Sequence, residues 1–344
     1  MKAVMVGQPG EARVMSVAEP SINDGRDAIV RVQATAICGA DLLPLRGYVP
    51  GFEQETILGH EFVGVVGEVG DDVQLRPGSR VVCSSTVSDG TCPHCRAGRT
   101  SQCEARALFG YSGVYPRLDG GQAELVRVPM ADRSLLPIPD VLPDDRAVFL
   151  ADILPTGFAA IDRVDVRLTD HIAVVGCGPV GLMAVLCASR VGASVVAIDA
   201  VPARRELAAR LGQGVRAVSP EEARTTIDSL TGGLGADIVV EAAGSASALD
   251  LALGLARGRG TISVVGAHFE ADYALNAGLM FERELSLRFH IGDPFSDRER
   301  LMSLVVNQEL EPEATISHRL PLAEAADAYR LFGDRIATKV VLYP

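Results

Sequence analysis

The amino-acid sequence predicts an α/β protein in which a mostly β region is followed by a doubly wound parallel sheet. Three observations support this order. Short valine-rich runs fill the chain up to about residue 150, and apolar strands alternate with helical stretches after Pro155. A glycine loop at residues 176–181 lies between the first of those strands and a helix.

The first region is expected to consist of short strands. Residues 28–33, 62–66 and 123–128 form short valine-rich runs of alternating character, and Gly and Pro residues separate them. We expect a mostly β, barrel-like domain here.

The second region alternates two kinds of element. Strands are predicted at residues 171–176, 194–199, 237–241, 261–266 and 284–290, and helices at 180–191 and 203–211. Because buried valine-rich strands separated by crossover helices form parallel sheets, we expect a doubly wound sheet. From about residue 294 the chain is predicted to add a helix and a terminal strand at 339–343.

Composition limits the possible functions. The 344 residues are 48% hydrophobic and 22% charged, which is enough for two domains with their own cores. A formal net charge of −12 would repel nucleic acids and anionic membranes. The N-terminus lacks the apolar length and cleavage site of a signal peptide, and no apolar stretch is an uninterrupted membrane span. We therefore expect a cytoplasmic protein that acts on a small molecule.

The seven cysteines are an odd number and include a C-x-x-C motif at Cys92 and Cys95. In a chain without a signal peptide, this pattern favours thiols and metal ligands over disulfides.

Zinc-ligand residue types lie ahead of the glycine loop: Cys38, His60 with Glu61, and Asp152. Thiolate sulfur, imidazole nitrogen and carboxylate oxygen are donors that zinc accepts, and a catalytic zinc keeps one position open for substrate. Followed by a dinucleotide loop, this set indicates zinc-assisted hydride transfer. Taken singly, Cys38 and His60 would be better explained as buried core residues.

The glycine loop has the spacing of a dinucleotide-binding site. Gly176, Gly178 and Gly181 follow a predicted strand and open a helix, where the backbone can approach a pyrophosphate. Asp199 ends the next predicted strand, where a carboxylate accepts hydrogen bonds from ribose hydroxyls and repels a 2′-phosphate. NAD is therefore favoured over NADP, although Arg204 could meet a phosphate. A glycine turn that serves only helix packing is the alternative.

With these residues in place, the chain resembles the zinc-dependent medium-chain dehydrogenase/reductase superfamily, in particular its formaldehyde-dehydrogenase-like and threonine-dehydrogenase-like alcohol dehydrogenases. The resemblance covers nearly the whole chain. Besides the cysteine and glycine loops, its motifs are ICGAD at 37–41, LGHEF at 58–62, PGSRV at 77–81, DGGQAE at 119–124, DILPTG at 152–157, VEAAG at 240–244 and KVVL at 339–342.

The resemblance implies three parts and an activity. A GroES-like catalytic domain would occupy residues 1–153, a Rossmann NAD-binding domain 154–291, and a C-terminal segment 292–344 that returns to the catalytic domain. The implied reaction transfers hydride between NAD(H) and an alcohol or carbonyl substrate. Relatives form dimers and tetramers, so we expect a homodimer or homotetramer.

Carried over residue by residue, the resemblance makes Cys38, His60 and Asp152 the ligands of a catalytic zinc, with Glu61 as an adjacent exchangeable ligand. Asp41 would orient the imidazole of His60. The residues implied to bind the cofactor are Thr156, Gly176, Gly178, Pro179, Val180, Gly181, Asp199, Arg204, Val265, Gly266 and Ala267.

The resemblance also implies a structural zinc on the cysteine loop. Relatives carry four cysteines there, whereas this chain has an aspartate at the first position. We favour a zinc site with the donors Asp89, Cys92, Cys95 and Cys103. Cys83 or His94 could instead supply the fourth ligand, and a metal-free loop is the remaining alternative.

One departure concerns the proton relay. Relatives commonly carry Ser or Thr two positions after the first zinc cysteine and often His five positions after it, but this chain has Ala40 and Leu43. Neither side chain can transfer a proton. Water or a substrate group would then carry the proton. Two alternatives follow: a zinc-containing reductase of a C=C or C=N bond, or a catalytically silent dinucleotide-binding protein.

Overall fold

The computed structural model describes residues 1–7, 10–268 and 272–344. The chain divides into two compact units, Met1–Pro155 with Asp293–Pro344, and Thr156–Gly292. Among the described residues, no helix has both the length and the apolar character needed to cross a bilayer.

The strands follow one another along the chain as β1 Lys2–Val6, β2 Ala12–Ser16, β3 Ala28–Ala36, β4 Glu61–Val69, β5 Arg80–Cys83, β6 Thr86–Val87, β7 Ala107–Leu108, β8 Leu125–Val128, β9 Leu135–Pro137, β10 His171–Val175, β11 Ser194–Ile198, β12 Arg216–Val218, β13 Ala236–Glu241, β14 Ala256–Val264, β15 Ser286–Phe289, β16 His318–Pro321 and β17 Val340–Tyr343.

The α-helices are α1 Leu42–Leu45, α2 Pro93–Arg96, α3 Ala131–Ser134, α4 Asp144–Ala147, α5 Ile153–Asp162, α6 Pro179–Val191, α7 Pro202–Ala208, α8 Pro220–Thr231, α9 Ala246–Leu255, α10 Ala277–Glu282, α11 Arg298–Val306 and α12 Ala325–Gly333. Short 3-10 turns lie at Gly39–Asp41, Thr100–Gln102, Val148–Ala151, Pro312–Thr315 and Leu322–Glu324.

The first unit is built around a sheet with the order β16-β17-β3-β4-β5-β9, and β8 also pairs with β3. One hydrophobic cluster of this unit consists mainly of valines and aromatic residues. In it the rings of Phe62 and Phe109 pack edge to face, with their centroids 5.3 Å apart. A second cluster packs α12 against β1 and β17. The alternating valine-rich runs of the sequence therefore form the mostly β region that was predicted.

The second unit contains a six-stranded sheet with the order β12-β11-β10-β13-β14-β15, and every pair in it is parallel. The chain starts in the middle at β10, runs out to β12, and returns to continue from β13 to β15. This is the strand order of a doubly wound dinucleotide-binding sheet, and the predicted fold class is confirmed.

Three elements of this unit differ from their predicted bounds by one to five residues at an end. Strand β14 begins at Ala256 rather than at 261, because its pairing with β13 starts before a register shift and resumes at Thr261. The glycines at 258 and 260 interrupt the apolar pattern by which strands are predicted, so this early part was not predicted. Helix α7 ends at Ala208 rather than at 211, and β15 spans Ser286–Phe289 rather than 284–290.

Candidate active site

The register of the central sheet brings the sequence-predicted metal ligands together. Ala36 at the end of β3 pairs with Glu61 at the start of β4, so Cys38 and His60 lie just beyond neighbouring strand ends. Asp152 follows the 3-10 turn Val148–Ala151, which contacts both strands. Ligands far apart in the sequence therefore converge on one end of the sheet.

The four donors are close enough to share one ion. One ligand atom from each of Cys38, His60, Glu61 and Asp152 lies within 4.8 Å of all the others. Oδ2 of Asp152 is 3.7 Å from Sγ of Cys38 and 3.5 Å from Nε2 of His60. Tetrahedral zinc with ordinary bond lengths places its donors roughly 3.3 to 3.8 Å apart, which agrees with both separations.

Two side chains orient these donors. Asp41, to which the resemblance assigns this task, lies with Oδ1 3.1 Å from Nδ1 of His60, an ion-pair contact that does not have hydrogen-bond geometry. The opposite ring nitrogen of His60 faces the site. Ser85, which sequence reasoning missed, donates its hydroxyl to Oδ1 of Asp152 at 3.0 Å and leaves Oδ2 toward the other ligands. Nothing in a Ser-Ser dipeptide at 84–85 signals this contact, because it spans 67 residues.

Lys339 was also missed as a site residue. Its ammonium group donates to Oε2 of Glu61 at 2.5 Å and to the carbonyl oxygen of Ile37 at 3.1 Å, and both charged side chains are fully buried. The other carboxylate oxygen of Glu61, Oε1, has no hydrogen-bond partner among the described residues. The sequence did contain a signal for Lys339, because lysine is rare in this chain: Lys2 and Lys339 are its two lysines, and all its other basic side chains of this kind are arginines.

The environment shifts the pKa values of the ligands in the metal-free chain. Burial raises the pKa of the Cys38 thiol to about 11. Burial opposes charge on His60, but the carboxylate of Asp41 and the sulfur of Cys38 raise its pKa well above the ordinary value. Burial would likewise raise the pKa of Asp152, yet the hydrogen bonds of His60 and Ser85 lower it. A metal must displace protons from Cys38 and His60, so its binding depends on pH.

These residues fit a zinc ion. The donors are one sulfur, one nitrogen and carboxylate oxygens, which is the chemistry of catalytic zinc sites. Oε1 of Glu61 is a buried acceptor without a hydrogen bond, a costly arrangement that a cation would relieve.

The cysteine loop forms a second group of donors. Asp89, Cys92, Cys95 and Cys103 each bring one ligand atom within 4.8 Å of the others. Backbone N–H groups of Cys92 and Thr91 lower the pKa of Asp89, whereas burial raises the pKa of the Cys95 thiol to about 12. Neither of the alternative fourth ligands belongs to this group, and His94 is exposed.

The predicted cofactor residues gather at the carboxyl ends of the parallel strands. Gly176 follows β10 with a φ of +93°, and a Cβ on Gly181 would lie 1.8 Å from the carbonyl oxygen of Gly176. Glycine is required at Gly181 for this reason, and Pro179 and Val180 then begin α6. The start of α6 is left open to an anion.

Asp199 and Arg204 lie beside the glycine loop. The carboxylate of Asp199 accepts hydrogen bonds from the backbone N–H groups of Cys177 at 2.7 Å and Val201 at 2.8 Å. Nη1 of Arg204 is 3.9 Å from Oδ2 of Asp199, so one acidic and one basic group face the same corner. This corner therefore offers a hydrogen-bond acceptor and a cation side by side.

The remaining cofactor residues occupy two places. Val265 and Gly266 follow β14 and donate their backbone N–H groups to the carbonyl oxygen of Glu241, which brings this turn against the end of β13. Ala267 lies against Gly244 in the same arrangement. Thr156 lies in α5 beside Gly292.

At the relay position, a hydrogen bond is made by the backbone of Ala40 and not by its side chain. The carbonyl oxygen of Ala40 accepts a hydrogen bond from the Tyr111 hydroxyl at 2.6 Å. Burial raises the pKa of that phenol, so it stays protonated at neutral pH.

Comparisons with known proteins identify the family of the chain. Residues 24–140 match the alcohol dehydrogenase GroES-like domain, and residues 179–307 match the zinc-binding dehydrogenase domain. The whole chain is 33% identical to the whole of a zinc-type alcohol dehydrogenase-like protein of Bacillus subtilis strain 168.

Two solved structures are similar over their full lengths. An alcohol dehydrogenase from Thermus sp. ATN1 has a TM-score of 0.94 and 36% identity, covering 100% of this chain and 99% of that one. A zinc-binding dehydrogenase from Sinorhizobium meliloti 1021, bound to NADP, has a TM-score of 0.87 and 30% identity, again covering 100% and 99%.

These findings confirm the predicted superfamily and the predicted class of reaction, a zinc-dependent oxidoreductase with a small-molecule substrate. They do not favour the reductase of C=C or C=N bonds or the silent binding protein. This chain belongs to the zinc-dependent alcohol dehydrogenases of the medium-chain dehydrogenase/reductase superfamily.

Proposed function

We propose that the protein is an NAD-dependent alcohol dehydrogenase with a catalytic zinc on Cys38, His60 and Asp152. Glu61 is an adjacent, exchangeable ligand. The observation that carries this proposal is the convergence of four donors within 4.8 Å, one of which has a buried carboxylate oxygen without a hydrogen bond. We further propose a structural zinc on Asp89 and the three cysteines of the loop.

The chain's own residues prepare the reaction. When bound, zinc supplies a Lewis acid for the oxygen of the alcohol or carbonyl group, and NAD supplies the hydride acceptor. Asp41 holds the ring of His60, Ser85 holds the carboxylate of Asp152, and Lys339 holds one oxygen of Glu61. Fixed donors keep the substrate oxygen in one place, and orientation is the main contribution that the protein makes to hydride transfer.

Asp199 supports NAD as the preferred cofactor. Its carboxylate follows β11 next to the glycine loop, where it can accept hydrogen bonds from a ribose and would repel a 2′-phosphate. Arg204, whose guanidinium could bind a 2′-phosphate, would favour NADP, and the relative from Sinorhizobium meliloti was solved with NADP. Because Asp199 is anchored by two backbone donors, its charge is fixed in place.

The decisive experiment counts zinc per chain in the wild type and in Cys38→Ser, Asp152→Ala and Cys95→Ser, together with reduction of NAD and NADP by a panel of alcohols. About two zinc ions are expected in the wild type and one in each variant. Cys187→Ser, a buried cysteine of α6 outside both groups, is the matched control. A Cys38→Ser variant that keeps both zinc ions contradicts the catalytic zinc site. Wild-type protein that prefers NADP contradicts the proposed cofactor.

The protein is also proposed to be a homo-oligomer in which a second copy of this chain covers β15. This strand ends the parallel sheet, and its last residue, Phe289, is 62% exposed. Phe281 in α10, a few residues earlier in the chain, is 88% exposed. Light scattering during size-exclusion chromatography should give a dimer or tetramer, and Phe289→Asp should dissociate it. A wild-type monomer would contradict this assembly.

A cytoplasmic location remains part of the proposal. All seven cysteines are free, and all are buried, as expected for a protein that keeps its thiols reduced. Fractionation of cells that produce the protein tests the location, and recovery of the protein outside the cytoplasmic fraction would contradict it.

A further inference from the structure

A chain of four buried polar side chains extends from His60 to the C-terminal helix α12. Asp41 lies beside His60, the amide of Gln122 donates from Nε2 to Oδ2 of Asp41 at 3.3 Å, and the Tyr329 hydroxyl donates to Oε1 of Gln122 at 2.7 Å. The four side chains are 2%, 1%, 0% and 4% exposed in this order. All four lie in the first unit.

Asp41 connects two of the proposed zinc ligands. Its Oδ2 accepts the backbone N–H of Cys38 at 2.9 Å, while its Oδ1 lies 3.1 Å from Nδ1 of His60. A rotation of this one carboxylate would move the ring of His60 and release the turn that carries Cys38. The orientation of Asp41 therefore matters for both ligands.

Gln122 can fix that orientation because its amide has one workable arrangement. With Nε2 toward Asp41, the second proton of the amide points to the carbonyl oxygen of Ala36 at 3.5 Å, and Oε1 receives the tyrosine hydroxyl. The reversed amide would place its oxygen against a carboxylate and a carbonyl. The two acceptors, Asp41 and the carbonyl oxygen of Ala36, thus determine which end of the amide faces them, and the hydroxyl of Tyr329 supplies the donor for the amide oxygen that remains.

The backbone around Gln122 is also anchored to the ligand segment. Its N–H donates to the carbonyl oxygen of Leu58 at 2.9 Å, and its carbonyl oxygen accepts from Val4 at 2.8 Å. Gly59, which has a φ of +95°, precedes His60, and a Cβ there would lie 2.4 Å from Cγ of Gln122. Glycine at 59 allows Gln122 to pack directly against the turn that presents His60.

Tyr329 is suited to act as a permanent donor. It sits in the middle of α12 within an apolar cluster that includes Ile37 and Leu58. Burial, reinforced by the charge of Asp41, raises the pKa of its hydroxyl well above the ordinary value. The phenol therefore keeps its proton, and the hydrogen bond to Gln122 keeps its direction.

We propose that Gln122 and Tyr329 are positioning residues that hold Asp41, and through it Cys38 and His60, in the geometry that retains zinc. This inference rests on the proposed function, because it requires a metal on those ligands. It predicts that the C-terminal helix, 269 residues from His60 in the sequence, controls how long the metal stays bound.

The expected effects decrease with distance from the metal. Loss of a residue that orients a metal ligand weakens metal binding by roughly tenfold to a hundredfold, so Gln122→Met should release the catalytic zinc about tenfold faster. Tyr329→Phe removes one hydrogen bond a step further away, and about threefold is expected. If Tyr329 acts only through Gln122, the double variant should release zinc no faster than Gln122→Met alone.

The test follows zinc release from the intact holoenzyme into excess chromogenic chelator, in the wild type, both single variants and the double variant. Cys38→Ser identifies the catalytic phase, since that phase should be absent from it. Tyr343→Phe, which removes a hydroxyl near Arg319 elsewhere in the same unit, is the matched control and should behave as the wild type. Absorption of the cobalt(II)-substituted proteins supplies a second readout, because the visible bands report the arrangement of the sulfur and nitrogen donors.

Faster release in both single variants, altered cobalt bands and a double variant equal to Gln122→Met would support the proposal. Wild-type release from either single variant, or effects that multiply in the double variant, would overturn it while leaving the zinc site intact. If the zinc-release curve of Cys38→Ser has the same phases as that of the wild type, the proposed function is overturned, and this inference with it. If Tyr329→Phe does not fold, the cobalt spectrum and release rate of Gln122→Met decide the outcome.

Discussion

The buried pair of Lys339 and Glu61 gives a sharp prediction for the metal-free protein. Lys339→Met keeps most of the aliphatic stem but removes the ammonium group, so the fully buried carboxylate of Glu61 loses its counter-charge. The carbonyl oxygen of Ile37 loses its donor at the same time. Removing one partner of a buried ion pair costs about 3–5 kcal/mol, and we expect this loss of unfolding free energy in the first unit at neutral pH.

The loss should depend on pH with a definite sign. Burial raises the pKa of Glu61 above its ordinary value, and Lys339 opposes that rise. Without the lysine the folded-state pKa must rise further, so the folded variant takes up a proton at a higher pH than the wild type. A group with a raised folded-state pKa stabilises the protein below its unfolded-state pKa and loses this effect as pH rises. The deficit of Lys339→Met should therefore be largest at neutral pH and shrink on acidification.

The assay is urea unfolding of chelator-treated protein, followed by circular dichroism because the chain contains no tryptophan. The first transition of each variant is compared, since a two-unit chain need not unfold in one step. Lys2→Met is the matched control, because the ammonium of Lys2 is exposed and bonds only to Ser16 among the described residues. Glu61→Gln combined with Lys339→Met removes both charges and should recover most of the stability.

Two results would refute this reasoning. One is a Lys339→Met protein as stable as the wild type at neutral pH, which would mean that Glu61 is solvated or protonated already. The other is a double variant as unstable as Lys339→Met, which would mean that packing of the lysine stem, and not the uncompensated carboxylate, causes the loss.

Three further predictions concern the site and the cofactor. Asp199→Ala should shift the ratio of kcat/KM for NAD over NADP toward NADP by about tenfold, the effect of one charge-assisted hydrogen bond, and an unchanged ratio in steady-state assays would remove Asp199 from the cofactor site. Ala40→Ser restores a hydroxyl at the relay position and should raise the rate of alcohol oxidation near neutral pH or leave it unchanged; a large loss would show that a small apolar side chain is needed there for substrate fit. Ser85→Ala removes the donor at 3.0 Å from Asp152 and should speed release of the catalytic zinc about tenfold, whereas equal zinc retention would show that the carboxylate holds its position without the serine.

The sequence predicted those parts of the fold that depend on local pattern. Valine-rich strands alternating with helices indicated the parallel sheet, and the glycines at 176–181 placed its first crossover. The early part of β14 escaped because its pairing depends on a register shift opposite Ala236, which no local pattern reveals. Strand β16 escaped because it is short and ends in a proline, so only its pairing with β17 defines it.

The proposed metal ligands could be named from the sequence because motifs flank each of them, but the side chains that hold them could not. Ser85 and Lys339 contact the proposed ligands Asp152 and Glu61 across 67 and 278 residues of sequence. Gln122 contacts Asp41 across 81 residues, and Tyr329 contacts Gln122 across 207. Such contacts follow from the register of β3, β4 and β17 and from the packing of α12, which are properties of the folded sheet.

The relay positions and the proposed metal ligands differ in what depends on their side chains. The relay positions, Ala40 and Leu43, belong to a short 3-10 turn and helix whose backbone hydrogen bonds do not depend on these side chains. His60, Asp152 and Glu61, in contrast, each contact a buried side chain, namely Asp41, Ser85 and Lys339 in this order. Replacing one of them would leave a polar group in the core without that partner.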